Sequence, residues 1–232
     1  MRCDQALAFL HNLIQKLLQG SVSARHSIWG HADPELDMEV EYEALDVMLG
    51  DVPYQVVTTM TGIPPDWDES RPKHCILRIR SCASNRQWVT DLSGAQYGIN
   101  NSVYSWEQYE TTFVDRVVGS ATIEYHRNKI ARLAAVEGSN KLTFGLPHQA
   151  AEKLEEAMDS WELRHQRIAT LVFVHDADFE RLKRDLLECL DTAVRSFVRE
   201  GDFEGIVEEA YEYMRTHPGQ SGKETKAILG VE

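Results

Sequence analysis

Apolar residues at Ala6, Phe9, Leu10, Leu13, Ile14, Leu17 and Leu18 keep the three-and-four spacing that paints one face of a helix, and Gly20 follows as a stop. The spacing predicts a core helix from about Asp4 to Gln19. A second helix is predicted after Asp33, an N-cap residue followed by Pro34 at the first helical position. Met38, Tyr42, Leu45 and Leu49 share a face there, acidic residues fill the other, and Gly50 closes the segment. From Val52 to Met60 the residues turn β-branched and aromatic, and Gly62, Pro64 and Pro65 break that run. Two alternating stretches come next, His74 to Arg80 and Arg86 to Leu92, with Ser81, Ser84 and Asn85 between them. In the first, His74, Ile76 and Arg78 point one way and Cys75, Leu77 and Ile79 the other, so a β-hairpin is expected.

A loop follows in SGAQYG, and Ser105 and Gln108 stand at the spacing of a helix capping box. Beyond it the pattern predicts helices at Trp106 to Val118, Ala121 to Glu137, Pro147 to about Val174, Phe179 to Glu200 and Phe203 to Thr216, with Gly138 and Gly201 as C-caps. Leu154, Met158, Trp161, His165, Ile168 and Val172 form one stripe; Phe179, Leu182, Leu186, Cys189, Ala193 and Phe197 form another. Two such stripes joined by a short connection predict an antiparallel helical hairpin. The fold class expected is α+β: a small antiparallel sheet with an N-terminal core helix over residues 1–118, then an all-helical extension over 119–232. Gly138 to Pro147 reads as a short linker, and the stretch from Gly219 to Glu224 as a frayed end.

Composition narrows the function classes. The 232 residues carry 37 acidic against 24 basic side chains, a formal charge of -13 with no basic patch, so nucleic acid and anionic lipid surfaces are disfavoured partners. No apolar run approaches the ~20 residues of a membrane span. The first segment is interrupted by Asp4, His11, Asn12, Gln15 and Lys16, so it is not expected to be a signal sequence. Four scattered cysteines form no CxxC pair, which points to a reducing, cytoplasmic setting, with the nucleus as the other option. His26 and His31 flank Trp29 without a third ligand nearby, so neither a metal nor a cofactor is expected.

One order of residues carries chemistry. Cys3 stands at the mouth of a helix, where unpaired N–H groups and the helix dipole favour a thiolate. His74 opens one strand of the expected hairpin and Asp91 closes the other, so the imidazole can take the thiol proton while the carboxylate fixes the ring. Read singly, each has a plainer use: a free N-terminal thiol, a strand histidine on a backbone group, a turn-capping aspartate. Gln96 and Tyr97 lie beside the hairpin, as filling or as lining of a substrate site.

At these residues the chain resembles the papain-like superfamily, and within it the transglutaminase-like branch, through HCILRIRSCASNRQWVTDLSGAQYG. WVTDLSGAQYG with Trp106 and Tyr109 is also similar to a module of uncharacterised fungal proteins, some of which carry a MYND-type zinc finger that has no counterpart in this sequence. The resemblance implies a papain- or transglutaminase-like core with Cys3, His74 and Asp91 as the triad. Only two residues precede Cys3, and chain upstream of the cysteine ordinarily helps build an oxyanion hole. This weighs toward a core that has lost its chemistry and serves binding or regulation, with a protein partner or a second copy engaged through the helical half. The alternative is a thiol hydrolase or acyl transferase using the triad. A third reading is a helical adaptor capped by a minor β portion.

Overall fold

The structure, a computed structural model, describes residues 3–23, 40–53 and 73–230. The readings placed on His26, Trp29, His31, the Asp33-Pro34 helix start, Met38 and the stretch from Tyr54 to Pro65 lie outside the described residues. The chain divides into two compact units: Met1–Leu7 with Arg25–His126, and Ala8–Ala24 with Arg127–Glu232.

The first unit is built on a five-stranded antiparallel sheet of order β4-β3-β2-β1-β5. Its strands are β1 (Val40–Leu49), β2 (Lys73–Ser81), β3 (Gln87–Thr90), β4 (Val103–Ser105) and β5 (Val114–Ala121). The expected hairpin is β2 and β3, paired from Leu77↔Thr90 to Arg80↔Gln87. A short 3-10 turn, Gly94–Tyr97, follows β3 and ends at Gly98 with φ +79. Helix α3 (Trp106–Phe113) then starts at Ser105, whose Oγ accepts the Gln108 N–H at 3.2 Å.

Two expectations for this unit are corrected. The residues expected to end the second helix, Val40–Leu49, form the strand β1. Ala44, Leu45, Val47, Met48 and Leu49 are all buried, because β1 lies between β2 and β5 and is covered on both faces. A strand buried on both faces loses its alternation, and the remaining apolar positions also fit a helical spacing. The helix expected to run to Val118 stops at Phe113. The next eight residues, VDRVVGSA, form the edge strand β5 against β1, where β-branched residues fit better than in a helix.

In the second unit, α2 is His11–Ser23, and α4 (Ile123–Ala134) enters this unit at Arg127. The single N-terminal helix expected is two: α1 (Cys3–Phe9) ends before Leu10, and the chain passes from one unit to the other between Leu7 and Ala8. The long helices are α5 (Leu146–Arg164) and α6 (Asp176–Glu200). Trp161 donates to Asp185 at 2.7 Å and the Cys189 thiol meets the Ala157 carbonyl at 3.7 Å, so the pair runs antiparallel as the two stripes predict. The first stripe crosses a break: α5 ends at Arg164, and Ile168 and Leu171 bury into the same core from a 3-10 turn, Ile168–Phe173. Gly138–Pro147 is no linker, since a π-helical turn, Lys141–Gly145, buries Phe144 there. After α7 (Phe203–Thr216), the end expected to fray is helix α8 (Gln220–Leu229). Ser221 donates to the Glu137 carbonyl at 2.6 Å and Asn140 to Thr225 at 2.8 Å, which ties α8 down.

Among the described residues no helix is long and apolar enough to cross a membrane.

Candidate functional site

His74 lies on the face of β2 that also carries Ile76 and joins a core of Leu45, Val47, Leu49, Ile76, Val89, Ile99 and Tyr109. The register puts His74 opposite Val47 and Ile76 opposite Leu45, so an imidazole stands where the pattern otherwise places aliphatics. Asp91 comes one residue after β3, and the hairpin brings the two together: His74 Nε2 to Asp91 Oδ1 is 2.9 Å, with both side chains fully buried.

The Asp91 carboxylate accepts two further hydrogen bonds. Ser93 N–H donates to Oδ1 at 3.1 Å, and the buried Tyr109 hydroxyl donates to Oδ2 at 2.7 Å. Burial alone would push the carboxyl up. The hydrogen bond and charge of His74, then Tyr109 and Ser93, outweigh it and hold Asp91 below the usual aspartate value. An ionised carboxylate is acceptor-only, so the ring nitrogen facing it carries the proton. His74 Nε2 is therefore the donor in the bond to Asp91.

The SGAQYG turn closes over this pair. Tyr97 meets the His74 ring edge-on with centroids 4.9 Å apart. A Cβ at Gly94 would run into the Asp91 carboxylate and crowd Ile99, so only glycine lets the turn approach so closely. Gln96 sits half-buried in the same turn, its N–H on the Ser93 carbonyl at 3.2 Å. Cys3 opens α1, and its residue belongs to the sheet-bearing unit; its side chain lies outside the described part of the structure. The structure thus brings His74, Asp91 and Tyr97 together. It adds Tyr109, whose signal in the sequence was its place after the SGAQYG turn and whose partner was not legible.

A second polar group occupies the other face of the sheet. Asp46 on β1, Cys75 on β2 and His126 on α4 bring one ligand atom each to within 4.8 Å of one another. Nothing in the sequence pattern pointed to it: no two of the three are near neighbours in the chain, and cation-binding motifs are read from local spacing.

No family model, curated protein or solved structure matches the chain.

Proposed function

We propose that the sheet-bearing unit is a papain- or transglutaminase-like core that performs thiol-dependent acyl transfer or hydrolysis, with Cys3 as nucleophile, His74 as base and acid, and Asp91 as the group that orients the ring. The observation that carries this reading is the His74–Asp91 pair, 2.9 Å apart and fixed from behind by Tyr109. A carboxylate held ionised by three donors keeps the imidazole proton on Nε2 and stabilises the imidazolium. In the reaction His74 Nδ1 takes the Cys3 thiol proton and the sulfur bonds to the substrate carbonyl carbon. The bond from that carbon to the leaving nitrogen or oxygen breaks as His74 returns the proton, and water or an amine then releases the acyl group.

The second reading, a core that has lost chemistry and serves binding or regulation, is favoured by one observation. The His74 and Asp91 side chains have no exposed surface, as suits a buried structural pair.

Site-resolved alkylation separates the two. The folded protein is pulsed with iodoacetamide across about pH 5–9, and labelling is quantified at each cysteine by mass spectrometry, with exposed Cys82 as the internal reference. The acyl-transfer reading expects Cys3 to outpace Cys82 by tenfold or more below about pH 7, and to lose that advantage in His74→Gln. Cys3 labelling no faster than Cys82, and indifferent to His74→Gln, overturns that reading and leaves the binding role.

A further inference from the structure

Asp46 and Cys75 are direct cross-strand partners on β1 and β2, so their side chains leave the same face of the sheet. That face is opposite the one carrying His74, since Cys75 is its immediate neighbour on the strand. His126 comes to the same place from α4, with its Nε2 3.9 Å from the Cys75 sulfur. Cys75 and His126 are each 3% exposed, and Asp46 is half-buried at the rim. On the same face, Ala44, Met48 and Leu77 come from the same two strands, Lys73 on β2 and Arg116 on β5 pair with Met48, and Ile123 is one turn before His126.

Three groups of this kind, two of them buried, match one ligand class well. Thiolate, imidazole and carboxylate form a donor set for zinc and similar borderline divalent cations. With bonds of about 2.3 Å to sulfur and about 2.0–2.1 Å to nitrogen, a tetrahedral ion separates those two ligands by about 3.6 Å. The observed 3.9 Å is within a small side-chain adjustment of that value. An aspartate and a thiolate together also neutralise a divalent charge, which removes the cost of burying each anion alone.

We propose that Asp46, Cys75 and His126 form a site for zinc or a similar thiophilic divalent cation, with Cys75 Sγ, His126 Nε2 and an Asp46 carboxylate oxygen as ligands. Among the described residues three ligands are present, so a tetrahedral ion would take its fourth from elsewhere. Gly119 on β5 pairs with Asp46, and among the described residues nothing lies within 4 Å of where its Cβ would be. Among the described residues, the absent side chain leaves room beside Asp46 for a water or a small anion on the fourth position. A β-bulge between Asp46 and Val47 marks the same point of the strand. The site lies on the face away from His74 and Asp91, so it stands or falls independently of the acyl-transfer reading.

Cobalt(II) is the probe, because thiolate ligation gives it a charge-transfer band in the near ultraviolet that oxygen ligands do not. The full chain is stripped with a chelator under reducing conditions and titrated with cobalt(II), which is then displaced by zinc(II). The proposal expects the band to saturate at one equivalent, to vanish in Cys75→Ser and to fade on zinc addition. Asp46→Asn, at a half-exposed position that should not disturb folding, is expected to weaken zinc binding by tenfold or more in competition with a chromophoric chelator. Zinc is also expected to raise the melting temperature of the wild type by several degrees, and not that of Asp46→Asn. No thiolate band in the wild type, a band that persists in Cys75→Ser, or equal zinc affinity in Asp46→Asn overturns the proposal.

Discussion

Asp91 is a buried anion that three donors keep charged, and its removal has two separable consequences. Asp91→Ala leaves the Tyr109 hydroxyl and the His74 Nε2 proton without their acceptor inside the core, a loss of about 3–5 kcal/mol by analogy with broken buried pairs. The pH dependence follows from the direction of its shift. Its folded pKa is below the unfolded value of about 3.9, so its contribution is fully present above that value and is lost as pH falls through the folded pKa. Wild-type stability is therefore expected to drop as pH goes from about 4 downward, and Asp91→Asn, less stable at neutral pH, should show a flatter acid limb. Urea unfolding midpoints collected from pH 7 to about pH 3 check this, and an acid limb of equal steepness in both proteins would show that other carboxylates set it. His74 and Asp91 were legible because each sits beside a strong local signal, an alternating strand and a glycine-bearing turn. Asp46, Cys75 and His126 were not, because only the β1–β2 register and the placement of α4 bring them together.

At the scale of elements, the pattern read best where a segment buries one face only. The α6 stripe shows this single-face periodicity on one helix; the first stripe continues past the end of α5 through the Ile168–Phe173 turn, and the β2–β3 hairpin was read from its residue types and the polar turn between its strands, although β2 buries residues on both faces. Reading failed at β1, where burial on both faces erased the alternation, and at β5, an edge strand whose valines follow a helix with no glycine or proline between. In the α5–α6 pair, Asp185 holds two partners, Trp161 Nε1 of α5 at 2.7 Å and Nε2 of His165, the residue just after α5, at 2.9 Å, with the two rings stacked 4.8 Å apart. Trp161 is fully buried, so Asp185→Ala strands an indole N–H in the core and is expected to cost about 1–3 kcal/mol. Glu180→Ala, which breaks only the exposed Lys183 pair one turn away on α6, should cost a few tenths of a kcal/mol. Thermal or urea unfolding of the two variants side by side tests that ordering, and equal losses would mean that the buried indole finds water instead.

Over the whole molecule the excess of 13 negative charges opposes the exposed ion pairs, and the salt response shows which dominates. Many of the ion pairs are between neighbouring turns of single helices, such as Lys153–Glu156, Arg181–Asp178 and Arg215–Glu212, and such pairs contribute about 0.3–0.5 kcal/mol at most. Others reach between elements of the helical unit, as Lys16 does to Asp159 and Glu162. Burial alone would lower the Lys16 pKa, but the hydrogen bonds and charges of Glu162 and Asp159 raise it above its ordinary value. That contribution is therefore complete below the unfolded lysine value of about 10.4 and constant throughout the neutral range. Against these local gains stands repulsion among 37 acidic groups that 24 basic ones cannot balance. Added salt screens both, but charges in direct contact are screened less than those spread across the surface, because the Debye length is still about 10 Å at 0.1 M. Raising sodium chloride from about 0.02 to 0.3 M is thus expected to raise the melting temperature by a few degrees at pH 7. A fall over the same range would mean that the ion pairs outweigh the net charge, and Lys16→Met would then be expected to remove much of that fall.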